Sequence, residues 1–250
     1  MEYNHERGDE LELNKIYNED CLEGMKRIPD GSIDMILCDL PYGTTRNKWD
    51  SIIPLEPLWE QYERIIKDNG AIVLTAQTPF DKVLGTSNLK LLRYEWIWQK
   101  NKATGHLNAN KMPLKEHENI LIFYKKLPPY NPIMGKGKPY SNNHKPGDSG
   151  TNYGKVGFSK RENVTTRYPR SILDFNVEVK PDHPTQKPTA LFEYLIKTYT
   201  NEGETVLDNC TGSGTTAIAC MNTNRNYIGF ELDEEYYKVA EQRIEDELNR

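Results

Sequence analysis

The sequence predicts an α/β protein: a doubly wound, mostly parallel sheet with helices on both faces. Three observations carry this. Residues 33–38 and 71–76 are near-continuous apolar runs, as expected of parallel strands buried on both faces. Segments with helical apolar spacing alternate with them. Residues 206–216, Val-Leu-Asp-Asn-Cys-Thr-Gly-Ser-Gly-Thr-Thr, read as a strand ending in a glycine turn that opens a helix. Such a turn lets backbone N–H groups approach a ligand, because glycine has no Cβ in the way. Residues 227–231 read as the next strand, with Glu231 at the carboxyl end where a ribose would sit.

In chain order, residues 1–14 are acidic and aperiodic, a loose tail. Residues 15–19 form a short strand, and Asp20 occupies the N-cap position of a helix over 21–28 that Pro29 closes. The strand 33–38 delivers Asp39, followed by Leu40-Pro41-Tyr42-Gly43; proline stiffens and glycine turns the chain, which fixes where Tyr42 points. Residues 44–50 are a polar loop in which Trp49 reads equally as a packing anchor or a nucleic-acid contact. A helix over 55–67 carries Leu58, Tyr62, Ile65 and Ile66, and Asn69-Gly70 ends it. The strand 71–76 precedes a short helix over 78–84 with Pro79 at its first position. Strands over 91–98 and 120–124 follow, with Trp96 and Trp98 as core or sheet-face residues.

Residues 127–181 are rich in Pro, Gly, Asn and Lys with little periodicity, and a stretch of that length inside a domain is usually functional. Short strands near 168–173 return the chain to the core. His183-Pro184-Thr185-Gln186-Lys187-Pro188 then precedes a helix with Leu191, Tyr194, Leu195 and Ile196 on one side and Gly203 as its stop. His183 fits a turn-forming role better than acid–base chemistry.

The 250 residues suffice for one domain, or one domain with an insertion. The sequence contains no 18-residue apolar run and no apolar leader segment, so the expectation is a cytoplasmic protein without a membrane span. Cys21, Cys38, Cys210 and Cys220 lack CxxC spacing and read as free thiols, with no metal site expected. The net charge of −5 hides an asymmetry: residues 100–170 hold fourteen Lys and Arg against four Asp and Glu, about +10 against about −15 elsewhere. Aromatic rings lie among these cations, Tyr130, Tyr140, Tyr153, Phe158 and Tyr168 among them, a mixture suited to bases and phosphates as well as to a solvated loop.

The spacing Gly212-x-Gly214-x-x-Ala217 with an acid at 231 approximates a dinucleotide fingerprint. A sequential dinucleotide fold needs four or five further strand–helix units, and only about 35 residues follow Gly214. The other strands must come from the N-terminal side, so the order is circularly permuted. That order, Asp39-Leu40-Pro41-Tyr42, then His183 to Pro188, then Asp208 to Thr216, resembles the β group of amino-methyltransferases that act on DNA. The resemblance runs from about residue 15 to about residue 237.

It implies a seven-stranded, Rossmann-like sheet with catalytic half 15–126, a basic target-recognition insertion 127–181, and cofactor-binding half 182–250. It implies S-adenosylmethionine as cofactor and double-stranded DNA as partner. A homodimer and a cognate restriction endonuclease accompany this family without any motif here that encodes them. The cofactor residues implied are Asp20, Cys21, Thr185, Gln186, Lys187, Asp208, Cys210, Thr211, Gly212, Ser213, Gly214, Thr215, Thr216 and Glu231. Thr185, Gln186 and Lys187 are expected near its methionine carboxylate and ribose. Contacts to DNA are expected from Thr44, Arg46, Lys48, Trp49, Lys136, Lys138, Arg161 and Arg167.

The chemistry follows from the target. An exocyclic amino nitrogen is a poor nucleophile because its lone pair is conjugated with the ring. Two acceptors on its hydrogens, the Asp39 carboxylate and a backbone carbonyl of the tetrapeptide, draw it toward tetrahedral geometry and stabilise the developing positive charge. Tyr42 would stack on a base flipped from the duplex. Leu40 stands where the family often has proline, which is immaterial if that position acts through its carbonyl. Asn209 and Cys210 replace a usual Pro-Phe pair. Asp at the head of the tetrapeptide favours adenine N6; cytosine N4, RNA, and a DNA-interaction module without turnover are the alternatives.

Overall fold

The computed structural model describes residues 11–43, 51–144, 147–148, 155–156, 159–178 and 186–249. They fall into two units, one drawn from Met1–Asn131 and Ser171–Arg250, the other from Pro132–Arg170.

The first unit runs β1 (Lys15–Tyr17), α1 (Cys21–Met25), β2 (Ile33–Asp39), α2 (Leu55–Ile65), β3 (Ile66–Ala76), α3 (Phe80–Ser87), β4 (Leu92–Thr104) and β5 (Lys115–Phe123). The second contains β6 (Gly135–His144), β7 (Gly147–Asp148), β8 (Lys155–Val156) and β9 (Ser159–Arg167). The chain then returns to the first unit with β10 (Ile172–Asp174), α4 (Thr189–Tyr199), β11 (Thr205–Asp208), α5 (Thr215–Met221), β12 (Asn226–Phe230) and α6 (Glu234–Leu248).

Eight strands form the main sheet, in the order β1-β12-β11-β2-β3-β5-β4-β10. This is one more than the seven expected; the addition is the three-residue β10, parallel to β4 at the edge. Only β5 runs antiparallel to its neighbours. Alternation along β2 builds two cores, since successive side chains point to opposite faces. Ile36 and Cys38 join Met25, Leu58, Trp59, Tyr62 and Phe80 under α1–α3. Met35 and Leu37 join Leu191, Leu195, Ile196, Ala217, Ala240 and Ile244 under α4–α6. Trp96 and Trp98 are core residues, as expected.

Several boundaries differ from the sequence reading. The first helix ends at Met25 rather than at 28, and the third begins at Phe80, with Pro79 as its N-cap rather than its first residue. The second helix stops at Ile65 because Ile66 already pairs with Ile33 in the sheet, so residues 66–70 are strand and Asn69-Gly70 is not a helix stop. The β4–β5 hairpin extends well past 98 and starts well before 120. Within the stretch expected to lack periodicity, β6 and β9 pair as an antiparallel ribbon. Backbone ladders of this kind need no apolar pattern.

The crossovers leave β2 through α2 on one face and β11 through α5 on the other. Their carboxyl ends therefore lie side by side at a topological switch point, where open α/β sheets bind ligands.

Candidate active site

Strand β2 hands Asp39 to this edge, and three side chains converge on its carboxylate. Oδ1 accepts hydrogen bonds from the Tyr42 hydroxyl (2.6 Å) and from the Thr75 hydroxyl at the end of β3. Oδ2 accepts from the Lys187 ammonium, which is buried and also lies 3.4 Å from Glu118 Oε2. Glu118 on β5 accepts from Lys100 on β4 through its other oxygen. The Tyr42 ring stacks on Phe80, centroids 5.4 Å apart, with Lys187 Nζ 5.6 Å from its own centroid. Burial, then the Asp39 and Glu118 charges, push the Tyr42 phenol well above its ordinary range, so it stays a donor. Leu40 is buried in the core beneath, which anchors the tetrapeptide.

Strand β11 hands over Asp208 and the glycine turn. Asp208 is buried, accepting from the Thr216 hydroxyl and from the Cys210 backbone N–H (3.0 Å); burial raises its pKa to about 6 against these bonds. Thr211 N–H donates to Phe230 O, tying the turn to β12. Gly212 has φ +54°, a left-handed conformation that costs a residue with a Cβ, and a Cβ there would meet nothing within 4 Å. Its N–H donates to Glu231 Oε2 (2.7 Å), and Asp233 N–H donates to Oε1 (2.9 Å). Each carboxylate oxygen keeps a lone pair, and burial lifts the Glu231 pKa to about 7 despite both bonds.

Around the turn, Asp20 caps α1 by accepting from Leu22 N–H (2.8 Å) and Glu23 N–H (3.2 Å). Cys21 and Cys210 flank the buried Asn209, whose amide lies 3.6 and 3.5 Å from their sulfurs and whose oxygen accepts from Tyr62. Asn209, where proline is usual, is therefore fully engaged. Two successive residues link the halves: Gln186 meets the Ser213 hydroxyl (3.3 Å), and Lys187 reaches Asp39. The acid near the front of the chain and the glycine turn near its end thus lie at the carboxyl ends of adjacent strands.

A family model described as DNA methylase matches residues 33–242, most of the chain. This chain is a DNA methylase of the N6/N4 family. It is 31% identical to the type II methyltransferase M.BglII of Bacillus subtilis over 94% of this chain and 70% of that one. To the DNA adenine methyltransferase YhdJ of Escherichia coli K12 it is 26% identical, over 94% and 83%. Among solved structures, the M1.HpyAVI–SAM complex superimposes with a TM-score of 0.63 at 25% identity, covering 92% of this chain and 98% of that one.

In this methylase the expected residues distribute unevenly. Asp208, Cys210, Thr211, Gly212, Ser213, Gly214, Thr215, Thr216 and Glu231 gather at the β11 and β12 edge with Asp20, Cys21 and Gln186. Lys187, expected near the cofactor's methionine carboxylate and ribose, has its ammonium on Asp39 and Glu118. Thr44, Arg46, Lys48, Trp49 and Thr185 lie outside the described residues.

The four basic residues expected at DNA within the second unit sit on the β6–β9 ribbon. Lys136, Lys138 and Arg161 are exposed. Arg167 instead lies over the Tyr140 ring (4.2 Å) and donates to Thr166 O (2.9 Å) and Lys138 O, so it braces the ribbon. Sequence reasoning missed Thr75, Glu118 and Lys100 around Asp39. It also missed Arg243 of α6, which donates to the Ser213 hydroxyl at 2.8 Å. No motif marks any of them.

Proposed function

We propose that this methylase transfers a methyl group from S-adenosylmethionine to the N6 amino group of adenine in double-stranded DNA. The observation that carries the reading is the meeting of Asp39 and the glycine turn at the adjacent carboxyl ends of β2 and β11. The open left-handed turn at Gly212 and the pinned carboxylate of Glu231 fit a nucleoside with ribose hydroxyls to donate. S-adenosylmethionine, when bound, supplies a methyl carbon already activated by its sulfonium. The protein's part is alignment and a better nucleophile.

Asp39 and a tetrapeptide carbonyl accept the two amino hydrogens, which localises the nitrogen lone pair. The same oxygens stabilise the positive charge on that nitrogen until one proton leaves to solvent. Tyr42 swings from Phe80 to stack on the flipped base. Lys136, Lys138 and Arg161 hold phosphates. Adenine is favoured over cytosine by the adenine-methylating relative and by Asp at the head of the tetrapeptide. The reading extends to a cytoplasmic enzyme acting beside a restriction endonuclease of the same site, in keeping with relatives named as type II methyltransferases. It extends further to a homodimer, which light scattering checks.

Sequencing the methylome of a methylation-free host expressing the chain is expected to show N6-methyladenine at one short motif. N4-methylcytosine at that motif overturns the adenine assignment, and competition with transcripts tests RNA.

Glu231 gives a pH prediction. Its protonated form cannot accept both backbone N–H bonds and ribose hydroxyls, so cofactor binding strengthens as pH rises through about 7. Calorimetry should find affinity about tenfold weaker at pH 6 than at pH 8, with Glu231→Gln flat across that range. The stability term has the opposite sign. Because folding raises the Glu231 and Asp208 pKa values, their contribution is complete at low pH and lost as pH climbs toward about 7 and about 6.

A further inference from the structure

Both oxygens of Asp39 already have donors, Tyr42 and Thr75 on Oδ1 and Lys187 on Oδ2. Oδ1 is filled by its two donors, so an incoming amino group meets Oδ2, whose remaining lone pair lies directly beside the Lys187 ammonium. The two hydroxyls can rotate aside at little cost, whereas the ammonium presents a larger problem. Methyl transfer builds positive charge on the base nitrogen, and a cation held on the same carboxylate opposes it.

The site contains a second place for that cation. Glu118 is buried, and its Oε2 has no hydrogen-bond donor among the described residues, an unusual state for a buried carboxylate oxygen. It lies 3.4 Å from Lys187 Nζ, an ion-pair distance short of a hydrogen bond. Its other oxygen is fixed by Lys100.

The geometry points to Lys187 as a positioning residue that caps Asp39 in the free enzyme and is handed to Glu118 Oε2 when the target base enters. This rests on the Asp39 role proposed above. Asp39, Lys187, Glu118 and Lys100 form a row of alternating sign, so the hand-off changes no net charge in the site. A displacement of Nζ by about half an ångström converts the 3.4 Å contact into a hydrogen bond. Lys187 moves as a cation: burial opposes its charge, but Asp39 and Glu118 outweigh burial and hold its proton above the ordinary lysine range. Glu118 receives it as an anion, since Lys187 and Lys100 overcome burial and keep its carboxyl below the ordinary range. No proton is transferred between them.

The test uses the full chain on a duplex carrying the site mapped by methylome sequencing. Glu118→Gln keeps shape but weakens the receiving oxygen, so Lys187 stays on Asp39. The expected kcat is at least about tenfold lower, with S-adenosylmethionine affinity and Tm close to the parent. Glu118→Asp, which keeps the charge, should fall between. Adding Lys187→Met to Glu118→Gln should raise kcat several-fold above the single variant, because the trapped cation is gone. A fixed structural ion pair predicts the reverse. Parent-like kcat in Glu118→Gln, or a double variant no faster than it, overturns the hand-off. If Glu118→Gln fails to bind cofactor and unfolds early, Glu118→Asp with and without Lys187→Met makes the same comparison. Asp39→Ala run alongside separates the two readings. Turnover in Asp39→Ala defeats the Asp39 role itself, while a dead Asp39→Ala with no recovery in the double variant defeats only the hand-off.

Discussion

Asp39→Ala is expected to lose methyl transfer by at least about two decades while binding S-adenosylmethionine as the parent does. The separation follows from where the residue sits. Asp39 is the last residue of β2, its side chain is only partly covered (22% exposed), and its partners survive its removal. Lys187 retains Glu118, while Tyr42 and Thr75 remain 3.1 Å apart and can satisfy one another. Among the described bonds of the glycine turn, none is made to Asp39: the turn rests on Asp208, Phe230, Glu231, Gln186 and Arg243. On the role proposed for Asp39, what disappears is the preorganised acceptor that makes a conjugated amino nitrogen nucleophilic. Asp39→Asn should be nearly as slow, since the amide turns one acceptor into a donor facing an ammonium. Single-turnover methylation with labelled cofactor, paired with calorimetry, checks both. Turnover near the parent's would remove Asp39 from the reaction.

The legible parts of the site are those where chemistry and local structure coincide. An acid at the end of an apolar run, then Pro, Tyr and Gly, has little use as packing, and a glycine turn after a buried strand marks a backbone exposed to a ligand. Both lie within a few residues of strands that apolar patterning reveals, and the permuted order followed from counting what remained after Gly214. Glu118 and Lys100 were hidden because they sit where β5 and β4 continue past their apolar stretches. There the strands persist through backbone pairing, and patterning records side-chain burial alone. The β6–β9 ribbon was hidden for the same reason. Lys187 shows a different limit. Its position in the motif placed it with Gln186 near the cofactor's methionine carboxylate and ribose, but a chain entering a helix turns successive side chains apart, sending Gln186 to Ser213 and Lys187 to Asp39. Arg243 and Thr75 were legible only as helix and strand residues, because nothing local distinguishes a cation or hydroxyl that later meets a site from one that meets solvent.

Two glycines separate cofactor binding from folding. At Gly212 a Cβ meets no protein atom within 4 Å, so Gly212→Ala costs mainly the left-handed backbone at φ +54°, about 1–2 kcal/mol. That lowers Tm by only about 2–8 °C in a chain of this size. The new methyl, however, projects into the open side of the turn, where the proposed cofactor backs onto the chain. Affinity is expected to drop by about a hundredfold, and the cofactor-induced rise in Tm should vanish. Gly24 in α1 is the converse. Its Cβ would lie 2.3 Å from Phe230 Cε1, and that ring is fully buried between α1 and the sheet. Gly24→Ala should therefore cost about 1–3 kcal/mol of stability through overpacking, reduced by the better helix propensity of alanine. Because the new methyl meets the Phe230 ring and not the backbone that holds the turn, the variant should still gain Tm on adding cofactor. Thermal melts of both variants with and without S-adenosylmethionine make the comparison in one experiment. A full cofactor shift in Gly212→Ala would show that the ligand does not lie against this turn, whatever Gly24→Ala does.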